Sequence, residues 1–295
     1  MPEEGVTLQP ASNILSDAEV VTLANQFIDR GVSKIRFTGG EPLIRPGILD
    51  ICKDIKIKHM AITTNGILLR RKLVPLFESG VNLLNISLDT LVPSKFELIT
   101  RRRGFDRVFN SIVEACEMPF EQVKVNCVVK RGVNEDEILD FVELTQHMNI
   151  QVRFIEYMPF DGNKWNSKSM ISYHEMVDMI RAKWPEFHRC KDEQHAVSKA
   201  WKVPGFTGSI GFISSMSDHF CGTCNRMRIT ADGNLKACLF GNDEVSLRDA
   251  LRSGVSDLDE IIQNTVMKKH EKLGGHESPE SIADGVNRPM ILIGG

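Results

Sequence analysis

The chain has 295 residues, 42% hydrophobic, 25% charged and 7% aromatic, and 36 basic against 39 acidic residues leave a formal net charge of −3. That is enough apolar material for one large domain or two smaller ones, and the near-neutral balance argues against a general nucleic-acid binder. No apolar run approaches the ~18 residues of a membrane span, and the opening MPEEGVTLQP lacks the charged and apolar regions of a secretory signal. Seven cysteines in such a chain point to intracellular thiol or metal chemistry and away from a disulfide scaffold.

In chain order, Ser16-Asp17-Ala18-Glu19 predicts a capped helix start before the apolar positions Val20, Leu23, Ala24 and Phe27, with Gly31 as its stop. Strands are predicted at Lys34 to Phe37, Met60 to Thr63, Leu84 to Leu88, Val123 to Val129 and Val152 to Glu156, each rich in Ile, Val, Leu or Phe. Helices are predicted around Arg70 to Glu78, Phe105 to Glu117 and Glu135 to His147. This alternation means parallel βαβ units, arranged as a closed or partly closed barrel or as a doubly wound sheet. In any of these the C-terminal ends of the strands carry the chemistry. Thr38-Gly39-Gly40-Glu41-Pro42, Thr64-Asn65-Gly66 and Asp89 follow successive strands and so fall at one edge. From about Ser198 the pattern changes to short β-like pieces, SKAWKVP, SIGFIS, NRMRIT and NLKACLF, with a hairpin turn at Ala231-Asp232-Gly233-Asn234. This reads as a second, smaller module. From about Glu271 a tail low in hydrophobics runs to an apolar anchor at Met290 to Ile293 and a terminal Gly294-Gly295.

The sharpest chemical signal is Cys221-Gly222-Thr223-Cys224 with Cys238 following after 13 intervening residues. Two readings fit three thiolates. One is structural zinc completed by His219. The other is an iron–sulfur cluster with one iron left open. Spacing alone favours zinc, the commoner use of such a pattern. Arg226 and Arg228, two apart on a predicted strand, share a face and suit a phosphate or a carbonyl-rich base. Arg36, Lys124 and Arg153 lie inside apolar strands, where a cation is costly unless it meets a ligand or partner. Pooled inside a barrel they make a receptacle for a polyanion; separately they pair with acids such as Glu41, Asp89 and Glu156. The Arg101-Arg102-Arg103 run reads as solvated, and Cys52, Cys116, Cys127 and Cys190 as ordinary thiols.

Taken together, KIRFTGGEPLIR, TTNG, SLDTL, VKVN, RFIEYMPF and FCGTCNRMRITADGNLKACLF resemble the molybdenum-cofactor biosynthesis protein A family. These are the radical S-adenosylmethionine enzymes called GTP 3',8-cyclases. The resemblance covers essentially the whole chain, and FIEYMPFDGNKWN and NRPMILIGG look closest to its eukaryotic, mitochondrial members. It implies an α/β fold, an incomplete parallel βα barrel of the radical SAM type with a C-terminal iron–sulfur module. Residues 1–197 would form the barrel without its first strand and cluster loop, 198–270 the module, and 271–295 a flexible tail whose Gly-Gly approaches the active site.

The implied reaction converts GTP to (8S)-3',8-cyclo-7,8-dihydroguanosine 5'-triphosphate through a deoxyadenosyl radical, as the entry to molybdopterin. By resemblance, Cys221, Cys224 and Cys238 hold a 4Fe-4S cluster whose open iron binds guanine, which overturns the zinc preference. Arg226 and Arg228 contact GTP as catalytic residues, with Arg36, Thr63 and Lys124 as further GTP contacts. Gly40, Ser87 and Met158 contact S-adenosylmethionine, with Arg153 as an additional contact. The implied downstream partner is cyclic pyranopterin monophosphate synthase; no nucleic acid or membrane partner is expected, and a homodimer is allowed. The compartment is the mitochondrial matrix for a eukaryotic member and the cytoplasm for a bacterial one. One departure stands out. The family's CxxxCxxC motif, which holds a second 4Fe-4S cluster, is not in this sequence. The chain as it stands is therefore expected not to cleave S-adenosylmethionine, and the alternative reading is an inactive GTP-binding iron–sulfur protein.

Overall fold

A computed structural model describes residues 9–192, 195–255, 258–285 and 288–293. The first helix, α1 (Asp17–Asp29), begins at a reciprocal cap: Glu19 N donates to Ser16 Oγ at 3.2 Å, and Ser16 N donates to Glu19 Oε2 at 2.7 Å. It buries Leu23, Ala24 and Phe27 and ends where Gly31 takes a φ of 89°, closed to most other residues. Strands β1 (Lys34–Phe37), β2 (His59–Thr64), β3 (Leu83–Ser87), β4 (Gln122–Val129) and β5 (Gln151–Glu156) follow the predicted segments to within a residue. Between and after them run α2 (Ile48–Asp54), α3 (Leu73–Glu78), α4 (Pro93–Thr100), α5 (Phe105–Glu117), α6 (Ile138–His147) and α7 (Tyr173–Lys183).

Strands β6 (His188–Arg189), β7 (Lys199–Lys202) and β8 (Ser209–Ile213) complete one eight-stranded sheet in the order β1-β2-β3-β4-β5-β8-β7-β6. The pairs from β1 to β5 and β5 with β8 are parallel; β7 and β6 are added antiparallel. From β1 to β5 consecutive strands are neighbours with no reversal of order, as in a barrel and unlike a doubly wound sheet, and only the antiparallel edge β8-β7-β6 runs back. The sheet winds in one direction as an incomplete barrel, since β1 and β6 do not pair to close it. The pieces SKAWKVP and SIGFIS supply β7 and β8, which extend this sheet.

The registers assign the two faces. Ile62, Leu84, Ile86, Val125, Cys127, Val152, Phe154, Ile210 and Phe212 alternate onto one face and are buried under the helices in the main core. A smaller sheet, β9 (Arg228–Ile229), β10 (Asn234–Lys236) and β11 (Val245–Ser246), follows, with the predicted hairpin turn between β9 and β10 and Gly233 at φ 79°. It is succeeded by α8 (Leu247–Arg252), α9 (Asp259–Met267), α10 (Pro279–Ala283) and α11 (Met290–Ile293). Leu15, Leu23 and Phe27 pack with Leu235, Leu247, Leu258 and Ile262, so α1 is the seam between hairpin and sheet. Buried Lys236 pairs with Glu244 at 3.0 Å, and Arg288 pairs with both Glu244 and Asp232, fixing the last described segment to the hairpin. Among the described residues no helix is long and apolar enough to cross a membrane. The terminal Gly294-Gly295 lies outside the described residues.

Candidate active site

The face of the sheet turned away from the helices is polar. Arg36 pairs with Ala61, two residues before Thr63; Thr63 pairs with Asn85, Asn85 with Lys124, Ser87 with Asn126, Asn126 with Arg153 and Arg153 with Gly211. Since alternate residues share a face, Arg36, Thr63, Ser87, Lys124 and Arg153 all lie on it. The five strand-borne candidates thus come from five adjacent strands to one concave surface. Gly40, in the turn after β1, and Met158, just after β5, stand at the C-terminal rim. Gly39 and Gly40 have φ of 85° and 27°, a backbone path a side chain would strain. The Gly40 N–H donates to Ile291 O at 2.9 Å, which brings the last described segment to this rim.

Arg36 Nη1 donates to Thr63 Oγ1 at 3.4 Å. Its guanidinium is drawn down to about 10, first by loss of solvation and then by Arg226 and Arg228. Burial also lowers Arg226 and Arg228, the latter further by Arg226. The hairpin therefore delivers both of its arginines to the cation on β1. By surface exposure Arg36 and Arg228 are half-buried and Arg226 exposed. Crowded by protein yet open to solvent, they line a recess and are not sealed in a core. A recess with three converging cations is a receptacle for an anion with several charges.

Three acids at the strand ends accept backbone and hydroxyl donors. Glu41 accepts from Leu43 N, Thr64 Oγ1 and Asn65 N. Glu156 accepts from Tyr173 N at 2.9 Å, from Met216 N and Ser217 N at 2.8 and 3.0 Å, and from the Ser217 hydroxyl. Asp89 accepts from Val128 N at 2.9 Å.

Cys221, Cys224 and Cys238 border this recess. Cys221 opens a 3-10 turn, Cys221–Thr223, and Cys238 follows β10. Burial raises the Cys221 thiol, the Leu273 N–H opposes this, and Cys238 and Cys224 raise it further. The same two cysteines act on Arg228. The thiols therefore face one another and the arginines. Among the described residues no three His, Cys, Asp or Glu side chains converge tightly enough for one ion. Three thiolate donors, each able to take a separate iron, fit a cluster by their chemistry. The remaining cysteines do not gather: Cys52 lies in α2, Cys116 in α5, Cys127 in β4 and Cys190 beyond β6, and burial raises the thiols of the first three.

Residues 4–145 match the radical SAM superfamily, and residues 150–274 match the family described as Molybdenum Cofactor Synthesis C. GTP 3',8-cyclase of Thermodesulfovibrio yellowstonii is 39% identical over 302 residues, covering 100% of this chain and 92% of that protein. The mitochondrial GTP 3',8-cyclase of Arabidopsis thaliana is 52% identical, covering 100% of this chain and 76% of that one. The chain belongs to the GTP 3',8-cyclase family. Human molybdenum cofactor biosynthesis protein 1 is 55% identical over 99% of this chain but only 46% of its own length. The chain thus spans about half the length of several curated relatives it matches. Streptococcus suis SuiB bound to S-adenosylmethionine shares the fold, with a TM-score of 0.59 at 17% identity over 98% of this chain and 72% of that one.

Further features of this polar face carry weaker signals in the sequence. Asn85 Nδ2 and Oδ1 and Asn126 Oδ1 are buried on the polar face with no hydrogen-bond partner among the described residues. Their signal was present: each is an amide inside an apolar strand, two residues from Ser87 or Lys124. Gly211, opposite Arg153, has no room for a side chain, since a Cβ there would stand 2.1 Å from Ser198 Oγ and 3.3 Å from Arg153 Cγ. Lys269 reaches Cys224 across 45 residues of chain, and no local pattern announces it.

Proposed function

We propose that the chain is the GTP-binding catalytic unit of a GTP 3',8-cyclase, acting in molybdenum cofactor biosynthesis to form (8S)-3',8-cyclo-7,8-dihydroguanosine 5'-triphosphate. The observation that carries this reading is the meeting of Arg36 on the sheet with Arg226 and Arg228 on the cysteine hairpin. Such a recess binds a triphosphate because permanently charged, planar donors surround several anionic oxygens at once. Arg36 and Lys124 present that charge from β1 and β4, and Thr63 on β2 adds a hydroxyl. Arg226 and Arg228 sit between the phosphates and the base, next to the thiols. Gly40, Ser87, Met158 and Arg153 form the S-adenosylmethionine side at the rim. The Asn85 amide and the Asn126 Oδ1 give the polar face a further donor and further acceptors for these two ligands.

Cys221, Cys224 and Cys238 would hold the C-terminal 4Fe-4S cluster. When bound, that group would supply an iron with an open position for guanine; the deoxyadenosyl radical would need one electron delivered to S-adenosylmethionine by the family's other 4Fe-4S cluster, whose CxxxCxxC ligands are not in this sequence. The protein's part is to orient the ribose, screen the triphosphate and keep water from the reacting face. The sheet would serve as the radical SAM portion, 198–270 as the substrate-binding portion and 271–295 as its tail. The product requires a ring-rearranging enzyme, for which cyclic pyranopterin monophosphate synthase is the expected consumer. The name of the Arabidopsis relative supports a mitochondrial compartment.

The test is anaerobic reconstitution followed by iron, sulfide and nucleotide binding. The reading expects about four iron and four sulfide from the C-terminal site. It also expects GTP to bind more tightly than ATP only when the cluster is present. Stoichiometric zinc without sulfide, or equal affinity for GTP and ATP with the cluster loaded, overturns it.

A further inference from the structure

Lys269 stands two residues beyond α9 and is half-buried. Its ammonium donates to Cys224 O at 2.7 Å, to Arg226 O at 3.1 Å and to Cys224 Sγ at 3.4 Å. Four residues later the Leu273 N–H donates to Cys221 Sγ at 3.5 Å. One short segment, 269–273, thus supplies N–H donors to two of the three thiols, and a full positive charge to one. The Leu273 side chain is buried against Phe240, Ile282 and Cys238, which fixes that amide in place. An ammonium held only as a helix-end latch would need the two carbonyls and not the sulfur.

We propose that Lys269 is a positioning residue for the three-cysteine centre: it holds the Cys224–Arg226 backbone and, through the sulfur, favours the reduced state of the bound cluster. This deepens the reading of Cys221, Cys224 and Cys238 as 4Fe-4S ligands and rests on it. Hydrogen bonds and charge at ligand sulfurs set the potential of such clusters. Reduction adds negative charge to the cluster and its thiolates, so a cation on Cys224 Sγ stabilises the reduced form more than the oxidised one. The second effect is mechanical. The same ammonium holds Arg226 O, so its loss frees the stretch carrying Arg226 and Arg228.

The experiment reduces the anaerobically reconstituted chain with dithionite in a mediator-poised titration followed by electron paramagnetic resonance. Parent, Lys269→Met, Lys269→Gln and Lys269→Arg are compared. In Lys269→Met the ratio of reduced to oxidised cluster at a fixed ambient potential falls on the order of tenfold, which for one electron is 59 mV. Lys269→Gln, which keeps a donor without the charge, falls less, and Lys269→Arg stays within a few-fold of the parent. An unchanged ratio in Lys269→Met with full iron content overturns the proposal and leaves a backbone latch. Should Lys269→Met lose its iron, Lys269→Gln decides: full iron with a lowered ratio supports the proposal, and full iron with the parental ratio overturns it. A parent chain that takes up zinc and no sulfide would instead sink the cluster reading itself.

Discussion

Glu41 holds Thr64 across two loops: the Thr64 hydroxyl donates to Glu41 Oε1 at 2.8 Å, while Asn65 N donates to Oε2 at 2.7 Å. Glu41 lies in the turn after β1 and Thr64 ends β2, so the two strand-end motifs form one unit at the rim. Leu43 N adds a third donor to Oε1 at 3.0 Å. Glu41→Gln replaces one acceptor oxygen by an amide NH2, which must then face an N–H or hydroxyl donor. The expected loss is about 1–3 kcal/mol in urea denaturation. Faster hydrogen exchange should concentrate around 38–45 and 64–67. An unchanged midpoint together with unchanged exchange would show that the carboxylate is not holding the loops.

Neutralising Arg36 should move two measurements in opposite directions. Arg36→Met removes a charge-assisted contact to the triphosphate, and GTP affinity falls about 10- to 100-fold, the equivalent of 1.5–3 kcal/mol. It also removes a guanidinium that stands against Arg226 and Arg228. The unliganded protein should therefore melt no lower than the parent, or slightly higher. Calorimetry with GTP and thermal unfolding without it check both halves. Loss of stability alongside affinity would instead make Arg36 a structural ion pair.

Much of this was legible in the sequence because the signals were local. The five parallel strands and the Ser16–Glu19 cap are set by residues within a few positions of one another, and they appear where the pattern put them. The common face of Arg36, Thr63, Lys124 and Arg153 follows from alternation, but only once the register is known. What stayed hidden depends on long-range packing. Lys199–Lys202 and Ser209–Ile213 read as part of a separate module because their runs are short and set apart by Gly-containing turns. Their partners are β5, β6 and each other, not the cysteine hairpin. Glu41 and Glu156 each accept several backbone N–H groups in the fold, a use no spacing reveals. The approach of Arg226 and Arg228 to Arg36 depends on how the hairpin docks against α1, through Leu235, Leu23 and Phe27.

Asp89, at the end of β3, gives the fold a pH dependence with a definite sign. Burial raises its carboxyl to about 6, and the Val128 N–H only partly opposes this. In an unfolded chain the group titrates near ~3.9. Between those values the folded protein keeps a proton that the unfolded chain has released. Stability from this group is therefore present at low pH and lost as pH rises from ~4 through ~6. Two units correspond to roughly 3 kcal/mol, reduced to about 2 because the side chain is only half-buried. Asp89→Asn keeps an oxygen for Val128 N–H and removes the slope. Variant and parent should match near pH 4, and the variant should lead by that amount at pH 7. A parallel pair of stability curves across this range would dispose of the idea.

Removing the metal should loosen one part of the molecule and leave the rest. The main core lies between the helices and the apolar face of β1–β5 and β8, and none of Cys221, Cys224 and Cys238 belongs to it. Cys221 and Cys238 pack instead in a smaller cluster of Phe240, Leu273 and Ile282 with Ile155, Met158 and Met216 at the rim of the sheet. A chelator under reducing conditions therefore should abolish protection in 221–227, 237–240 and 268–275 while β9, β10 and the main sheet keep their slower-exchanging amides. Cys238→Ser should reproduce that pattern and lower bound iron without changing the far-ultraviolet circular dichroism of the sheet and helices. A single cooperative loss of all protection would mean that the hairpin and the sheet are one folding unit. The apolar seam of Leu15, Leu23 and Phe27 against Leu235, Leu247 and Leu258 decides between these results. It anchors the hairpin on the side away from the cysteines, so the hairpin stays docked while its metal-binding end comes free.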